Sequence, residues 1–124
     1  MQNKMNELGK RAENLAIKYL EERGYKIVER NWRCGHLEID IIAINPSQPL
    51  LIHFIEVKGR LYPTQMTPEM QVNKGKQMHL INAANGYLKK ERLTSEVVFD
   101  IIAILFKSKD YEIKFIENAF MPLW

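Results

Sequence analysis

The sequence predicts an α/β fold: a central mixed sheet of about five strands, flanked by an N-terminal helix and a long second helix. Three observations lead there. Leu8, Ala12, Leu15, Ala16, Tyr19 and Leu20 recur at the spacing of one buried helical stripe. Three strand-like runs follow, and a nearly continuous apolar run from Val97 to Leu105 lies beyond a second helical pattern. The order is therefore helix, three strands, helix, two strands, and a helix between two strands is what a parallel crossover requires.

The first helix is expected from about Asn6 to Arg23, with Gly24 as its C′ stop. Tyr25 to Arg30 alternates enough for a strand, and Asn31 to Gly35 reads as a polar, basic turn. Leu37 to Ile44 is a second strand, closed by the turn Asn45-Pro46-Ser47-Gln48-Pro49. Leu50 to Lys58 is the third, so these two are expected to pair as an antiparallel hairpin. Gly59 to Pro68 reads as a loop, and a single long helix is expected from about Pro68 to Arg92. Val97 to Phe106 then forms a buried strand, expected to lie parallel to Leu50–Lys58. Lys107 to Asp110 is a turn and Tyr111 to Ile116 a last short strand.

With 124 residues the chain has room for one core, so residues 1–124 are expected to form one domain. It is 46% hydrophobic and 27% charged, ordinary for a globular protein. A net charge of +3 and a pI near 9.0 suit an anionic partner without requiring one. Cys34 is the single cysteine, which suits a reducing compartment. No apolar run is long enough to span a bilayer, and the N-terminus is polar. These features predict a cytoplasmic protein that does not enter membranes.

The chemistry lies on the second and third strands. Alternate residues of a strand share a face, so Glu38 and Asp40 project together, as do Glu56 and Lys58. On the second strand Leu37, Ile39, Ile41 and Ala43 are expected on one face, with His36, Glu38, Asp40 and then Ile42 and Ile44 on the other. An exposed strand end or a surface ion pair would account for either acidic pair taken singly. Together they bring carboxylates and an amine to one patch, the equipment of a metal-dependent phosphodiesterase. Glu13 lies at the shoulder of the first helix's stripe, where it either meets solvent or completes that patch. On the long helix Met70, Met78, Ile81, Ala84 and Leu88 are expected to form the apolar stripe, with Lys74 and Gln77 near its middle. Lys74 and Gln77 would then face the acids, or project beyond the core, and Lys76 would point to solvent. Asp100 interrupts a buried strand and is expected to cap a loop or pair with a base. His36, His53 and His79 lack ligand spacing, so zinc is not expected.

An ordered set of motifs runs along the chain: Gly9-x-x-x-Glu13-x-x-Ala16-x-x-Tyr19-Leu20, Gly24-Tyr25, Asn31-Trp32-Arg33, Glu38-Ile39-Asp40-Ile41-Ile42-Ala43, and Phe54-Ile55-Glu56-Val57-Lys58-x-Arg60. Lys76-Gln77, Ala83-Ala84, Tyr87-Leu88, Phe99-Asp100 and Asn118-Ala119-Phe120 continue it. The set resembles the YraN family of small bacterial proteins. That family is similar to the restriction-endonuclease-like, PD-(D/E)XK nucleases, most closely their archaeal Holliday-junction resolvase branch. The resemblance implies that Asp40, Glu56 and Lys58 fill the Asp…Glu-x-Lys signature, that Glu13 is the helix glutamate completing the site, and that Gln77 is the polar helix residue. Leu37 stands where the family usually has glycine, and Val98 where it often has arginine.

The function expected on these grounds is a Mg²⁺- or Mn²⁺-dependent DNA endonuclease acting on branched or damaged DNA. Asp40, Glu56 and Glu13 would bind the metal, Lys58 would position water or stabilise developing charge, and Glu38 would support Asp40. Arg33, Arg60, Lys74 and Lys76 are the candidates for phosphate contacts. Resolvases act on two strands, so a homodimer is plausible. The rival expectation is a non-catalytic module that binds nucleic acid or protein on the same fold.

Overall fold

The computed structural model describes residues 4–122. The first helix, α1, spans Lys4–Glu22. It ends where Tyr25 N donates to Leu20 O at 3.0 Å, with Gly24 at a φ of 86°, a left-handed conformation open to glycine and costly for most side chains. Strands β1 (Lys26–Cys34), β2 (Leu37–Ile44) and β3 (Leu51–Leu61) follow. Next come α2 (Pro68–Gln71), α3 (Lys74–Glu91), β4 (Glu96–Phe106) and β5 (Tyr111–Phe120). The sheet order among the described residues is β1-β2-β3-β4-β5. β3 and β4 are parallel and the other neighbours antiparallel, as the crossover predicts.

Two layers cover the sheet. Ala12, Ala16 and Leu20 of α1 pack on Ile41, Ala43, Ile55, Ile102 and Ile104. Leu80, Ile81, Ala84 and Tyr87 of α3 pack on Ile39, Phe54, Phe99 and Ile101. α1 can approach closely because β3 carries Gly59: a Cβ there would lie 2.8 Å from the Ala12 Cβ. Among the described residues no helix is long and apolar enough to cross a membrane.

Besides β3 running on from Lys58 through Gly59 to Leu61, where a loop was expected, four expectations change. The segment Asn31–Gly35 is not a turn: β1 runs through it to Cys34, which pairs with Leu37, and the turn is Gly35-His36. The last strand extends past Ile116 to Phe120, bulging where Asn118 adopts a φ of 50°. Asp100 Oδ1 accepts from the Asn118 N–H at 2.8 Å and so holds the bulge.

The single long helix is two. Thr67 Oγ1 caps α2 by accepting from Met70 N at 3.2 Å, and Asn73 Oδ1 caps α3 by accepting from Lys76 N at 3.0 Å. Val72 is buried at the break. Met70, on the separate α2, lies exposed; Met78 is exposed because the buried face of α3 runs through Leu80, Ile81, Ala83, Ala84 and Tyr87, so neither forms the stripe.

The fourth change is in β2. Ile39 packs in the α3 core while Ile41 packs in the α1 core, so strict alternation fails between them, at Asp40. The paired strand fails in step: Asn31, with a φ of 53°, separates Arg30 from the buried Trp32. The hairpin tip therefore rolls over, and Leu37, Ile39 and Trp32 cover α3.

Candidate functional site

The site forms where β2 and β3 part. Their pairing runs from Ile44↔Ile52 to Ile41↔Ile55. Beyond that point Asp40 Oδ2 accepts from Val57 N at 2.9 Å. A side chain thus replaces a backbone acceptor, satisfying a donor that the opened sheet leaves behind. The carboxylate is held at the mouth of the fork by the β3 backbone.

Glu56 is the next side chain on the α3 face of β3. Its residue is only 3% exposed, a costly position for a lone charge. Two ammonium groups meet its Oε2: Lys58 Nζ at 3.3 Å and Lys76 Nζ at 3.2 Å. Lys58 comes from the same strand two residues on. Lys76 comes from the first turn of α3, one turn before the buried Leu80. Asn73, by capping α3, fixes where that turn begins.

Asp40 lies beside Glu56. Burial pushes its carboxyl up to about 8, aided by the charge of Glu56 and a hydrogen bond with it, and more weakly by Glu13; the Val57 N–H opposes the shift. Two adjacent carboxyls short of water cannot both stay charged without a cation or a proton between them. With two hard oxygen donors side by side, this pair suits Mg²⁺ or Mn²⁺, which commonly take one or two protein carboxylates and fill the remaining positions with water and phosphate.

Glu13 reaches the same region from α1, but its Oε1 accepts from Arg30 Nε at 2.9 Å. Among the described residues no three histidine, cysteine or acidic side chains stand close enough to hold one metal ion. The expected three-carboxylate set is therefore a pair, with Glu13 held aside by Arg30. Glu13, Arg30, Arg33, Glu38 and Asp40 line a common cleft of about 630 Å³. Arg33 Nη2 lies 3.7 Å from Glu38 Oε2, so Glu38 is matched by a base at the rim.

On α3 two expected positions trade places. Lys76 points into the site and not to solvent, whereas Lys74 is exposed. Gln77 spends its amide on the helix break, donating from Nε2 to Val72 O at 3.0 Å. The break leaves that carbonyl without a helical partner, so Gln77 acts there as a brace. Arg60 donates to Gly59 O at 2.9 Å and lines a second cavity on the far side of Lys58.

Two participants escaped the sequence reading. Arg30 follows a strand pattern that gave no sign of a helix partner. His53 Nδ1 lies 2.6 Å from Asp100 Oδ2, both buried. An acid in the apolar run of one strand and a histidine in the apolar run of the strand expected beside it were the available signal. The expected base beside Asp100 is thus a histidine, and no arginine at Val98 is needed for it.

Fold and cluster together define a class: an α/β protein that carries a carboxylate pair and a lysine pair where its mixed sheet forks. The model of the family described as uncharacterised protein family UPF0102 matches residues 12–104, a span that holds Glu13, Asp40, Glu56, Lys58 and Lys76. The chain belongs to the UPF0102 family, the YraN family of the motif set. A UPF0102 protein of Bacteroides thetaiotaomicron is 40% identical over 117 residues, covering 94% of each chain. One from Clostridium perfringens is 40% identical over 116 residues, covering 91% of this chain and 93% of its own. One from Syntrophus aciditrophicus is 40% identical over 113 residues, covering 90% and 87%. Among solved structures, that of Pyrococcus furiosus SfsA in complex with Ca²⁺ is similar with a TM-score of 0.37 and 14% identity. The match covers 91% of this chain and 63% of that one, less than two thirds of its length.

Proposed function

We propose that this protein is a Mg²⁺- or Mn²⁺-dependent endonuclease on a restriction-endonuclease-like fold, hydrolysing phosphodiesters of branched or damaged DNA in the cytoplasm. The observation that carries the proposal is the pair Asp40 and Glu56, adjacent and desolvated at the sheet fork, with Lys58 and Lys76 on the same carboxylate. Asp40 and Glu56 would hold the ion, Glu13 would reach it through water, and the ion would polarise the phosphate and acidify a water.

The chain's own groups divide the remaining work. Val57 N–H fixes the Asp40 carboxylate, and Asp40 lines the cleft. Lys58 and Lys76 hold the Glu56 carboxylate and bring positive charge to where a phosphate would sit, countering charge that builds on its oxygens during attack. Arg33, at the cleft rim, and exposed Lys74 suit contacts to flanking phosphates, which position a strand without reading its sequence. Gln77 supports α3 and thereby Lys76. Two copies acting together would serve a substrate with two strands to cut.

The test is a panel of linear, nicked, flapped and four-way DNA incubated with either metal. Cleavage of at least one substrate is expected, and Asp40→Asn and Glu56→Gln should each abolish it. One observation favours a second reading: Glu56 is already neutralised by two lysines. Binding of the panel without cleavage under either metal would establish the binding module instead.

A further inference from the structure

Past Lys58 the same face of the sheet opens into a second cavity of about 310 Å³. It lies between the ends of β3, β4 and β5 and the segment leading into α2. Ala103 forms part of its floor and Met66 part of its wall. Lys58, Arg60 and Lys114 bring three positive charges to it. Its acidic neighbour, Glu112, is ion-paired with Lys107. Gln71, from α2, also lines the cavity, and its Oε1 is buried with no hydrogen-bond partner.

We propose that this cavity receives one unpaired nucleotide of the DNA strand being processed. The proposal rests on the DNA reading above, because the cavity and the acid cluster share Lys58. Three features select the occupant. The volume is at the small end of ligand cavities, which run about 300–1,000 Å³, so it admits a nucleoside-sized group and excludes a duplex. Lys58 is shared with Glu56, and Arg60 and Lys114 add two cations against one acid already paired with Lys107, which favours an anion. Arg60 uses one N–H on Gly59 O, leaving others for phosphate. A phosphodiester alone would leave Gln71 Oε1 unsatisfied, since its oxygens only accept. Every nucleobase carries an N–H edge that can donate to the Gln71 carbonyl once that side chain turns toward the cavity, and a flat ring suits the Ala103 and Met66 surfaces. The ring would enter the cavity while its phosphate stays beside Lys58, at the edge of the acid cluster. Substrates would therefore be those that present an unstacked nucleotide at little cost: flaps, frayed ends and damaged sites.

The experiment measures binding by fluorescence anisotropy, with Ca²⁺ in place of Mg²⁺ to suppress cleavage. Three labelled DNAs are compared: a duplex, the same duplex with a one-nucleotide flap, and that flap with its base removed. The flap should bind about tenfold more tightly than the duplex, and removing the base should erase the gain. Ala103→Leu, which fills the floor, should erase it too while leaving duplex affinity unchanged. Gln71→Leu, near the surface, gives the same readout if Ala103→Leu does not fold, as judged by thermal melting. Equal affinity for flap and duplex, full binding of the baseless flap, or a preference that survives both substitutions would overturn the proposal. So would deoxynucleoside monophosphate competing as strongly as the flap, which would make the cavity a free-nucleotide site. Because no cutting is required, a flap preference here together with no cleavage in the Mg²⁺ or Mn²⁺ panel would remove the endonuclease reading and leave this one standing.

Discussion

Asp40 does two jobs. Its Oδ2 closes the backbone gap left by the parting strands, and its carboxyl lies against Glu56. The second contact is unfavourable whenever both groups are charged. The folded chain therefore holds a proton on Asp40 up to about pH 8, whereas an unfolded chain loses it near the ordinary value of 3.8. Between those limits the folded state binds more protons, so the contribution of Asp40 to stability falls as pH rises. In metal-free buffer Asp40→Asn should raise the melting temperature at pH 8 and change it little at pH 4. An equal effect at both pH values would show that the two carboxyls do not repel in the fold. Glu56 and Lys58 were legible together because alternation holds along β3, and Asp40 was brought to them by the hairpin pairing although alternation fails at it. Lys76 was not, because its direction depends on a helix start six residues beyond the one that Thr67-Pro68 announces. Asn73 was the missed signal: a capping residue inside a presumed helix marks a second beginning.

At the scale of elements, the site depends on how closely α1 is seated. Ala12 rests over Gly59, and the next residue on the helix is Glu13. Gly59→Ala would place a methyl 2.8 Å from another methyl, with backbone behind both. It should cost about 1–3 kcal/mol of stability, the usual range for overpacking. On an Ala12→Gly background Gly59→Ala should cost much less than on the native one, measured by denaturant unfolding of the four members of the cycle. An equal cost on both backgrounds would place the strain elsewhere. The element order, the hairpin and the parallel crossover were all readable, since turn residues and apolar runs mark them locally. The hairpin roll was not. It arises from a left-handed Asn31 and from side-chain pairing at Asp40, neither of which disturbs the apolar pattern enough to announce itself. The roll gives Leu37 an apolar place, against Gly86 of α3.

For the molecule as a whole, a net charge of +3 is small, and the basic residues matter by placement. Lys58, Arg60 and Lys114 ring the second cavity, while Arg30 and Arg33 line the cleft with three acids. Such scattered charges bind phosphates without sequence preference, and counterion release makes that binding fall steeply with salt. Duplex and four-way DNA should both weaken along similar slopes in a salt titration with Ca²⁺, and Lys74→Ala should reduce affinity for unrelated sequences by a common factor. A flat response, or one sequence that stays bound at high salt, would show that bases are being read.

The fork between β2 and β3 also has a dynamic consequence. From Asn31 to Asp40 the hairpin tip has no backbone bonds to β3 and rests on α3 through Trp32, Leu37 and Ile39, with Trp32 edge-on to Tyr87 at 5.5 Å. It can therefore lift as one unit while the central strands stay paired, an opening far cheaper than global unfolding. The amides of the tip should exchange with solvent as a group, ahead of those in β3 and β4. Val57 would join them although it lies in a central strand, because its proton is guarded by a carboxylate from the moving piece. One backbone amide thus becomes a gauge of whether the mouth of the cleft is shut.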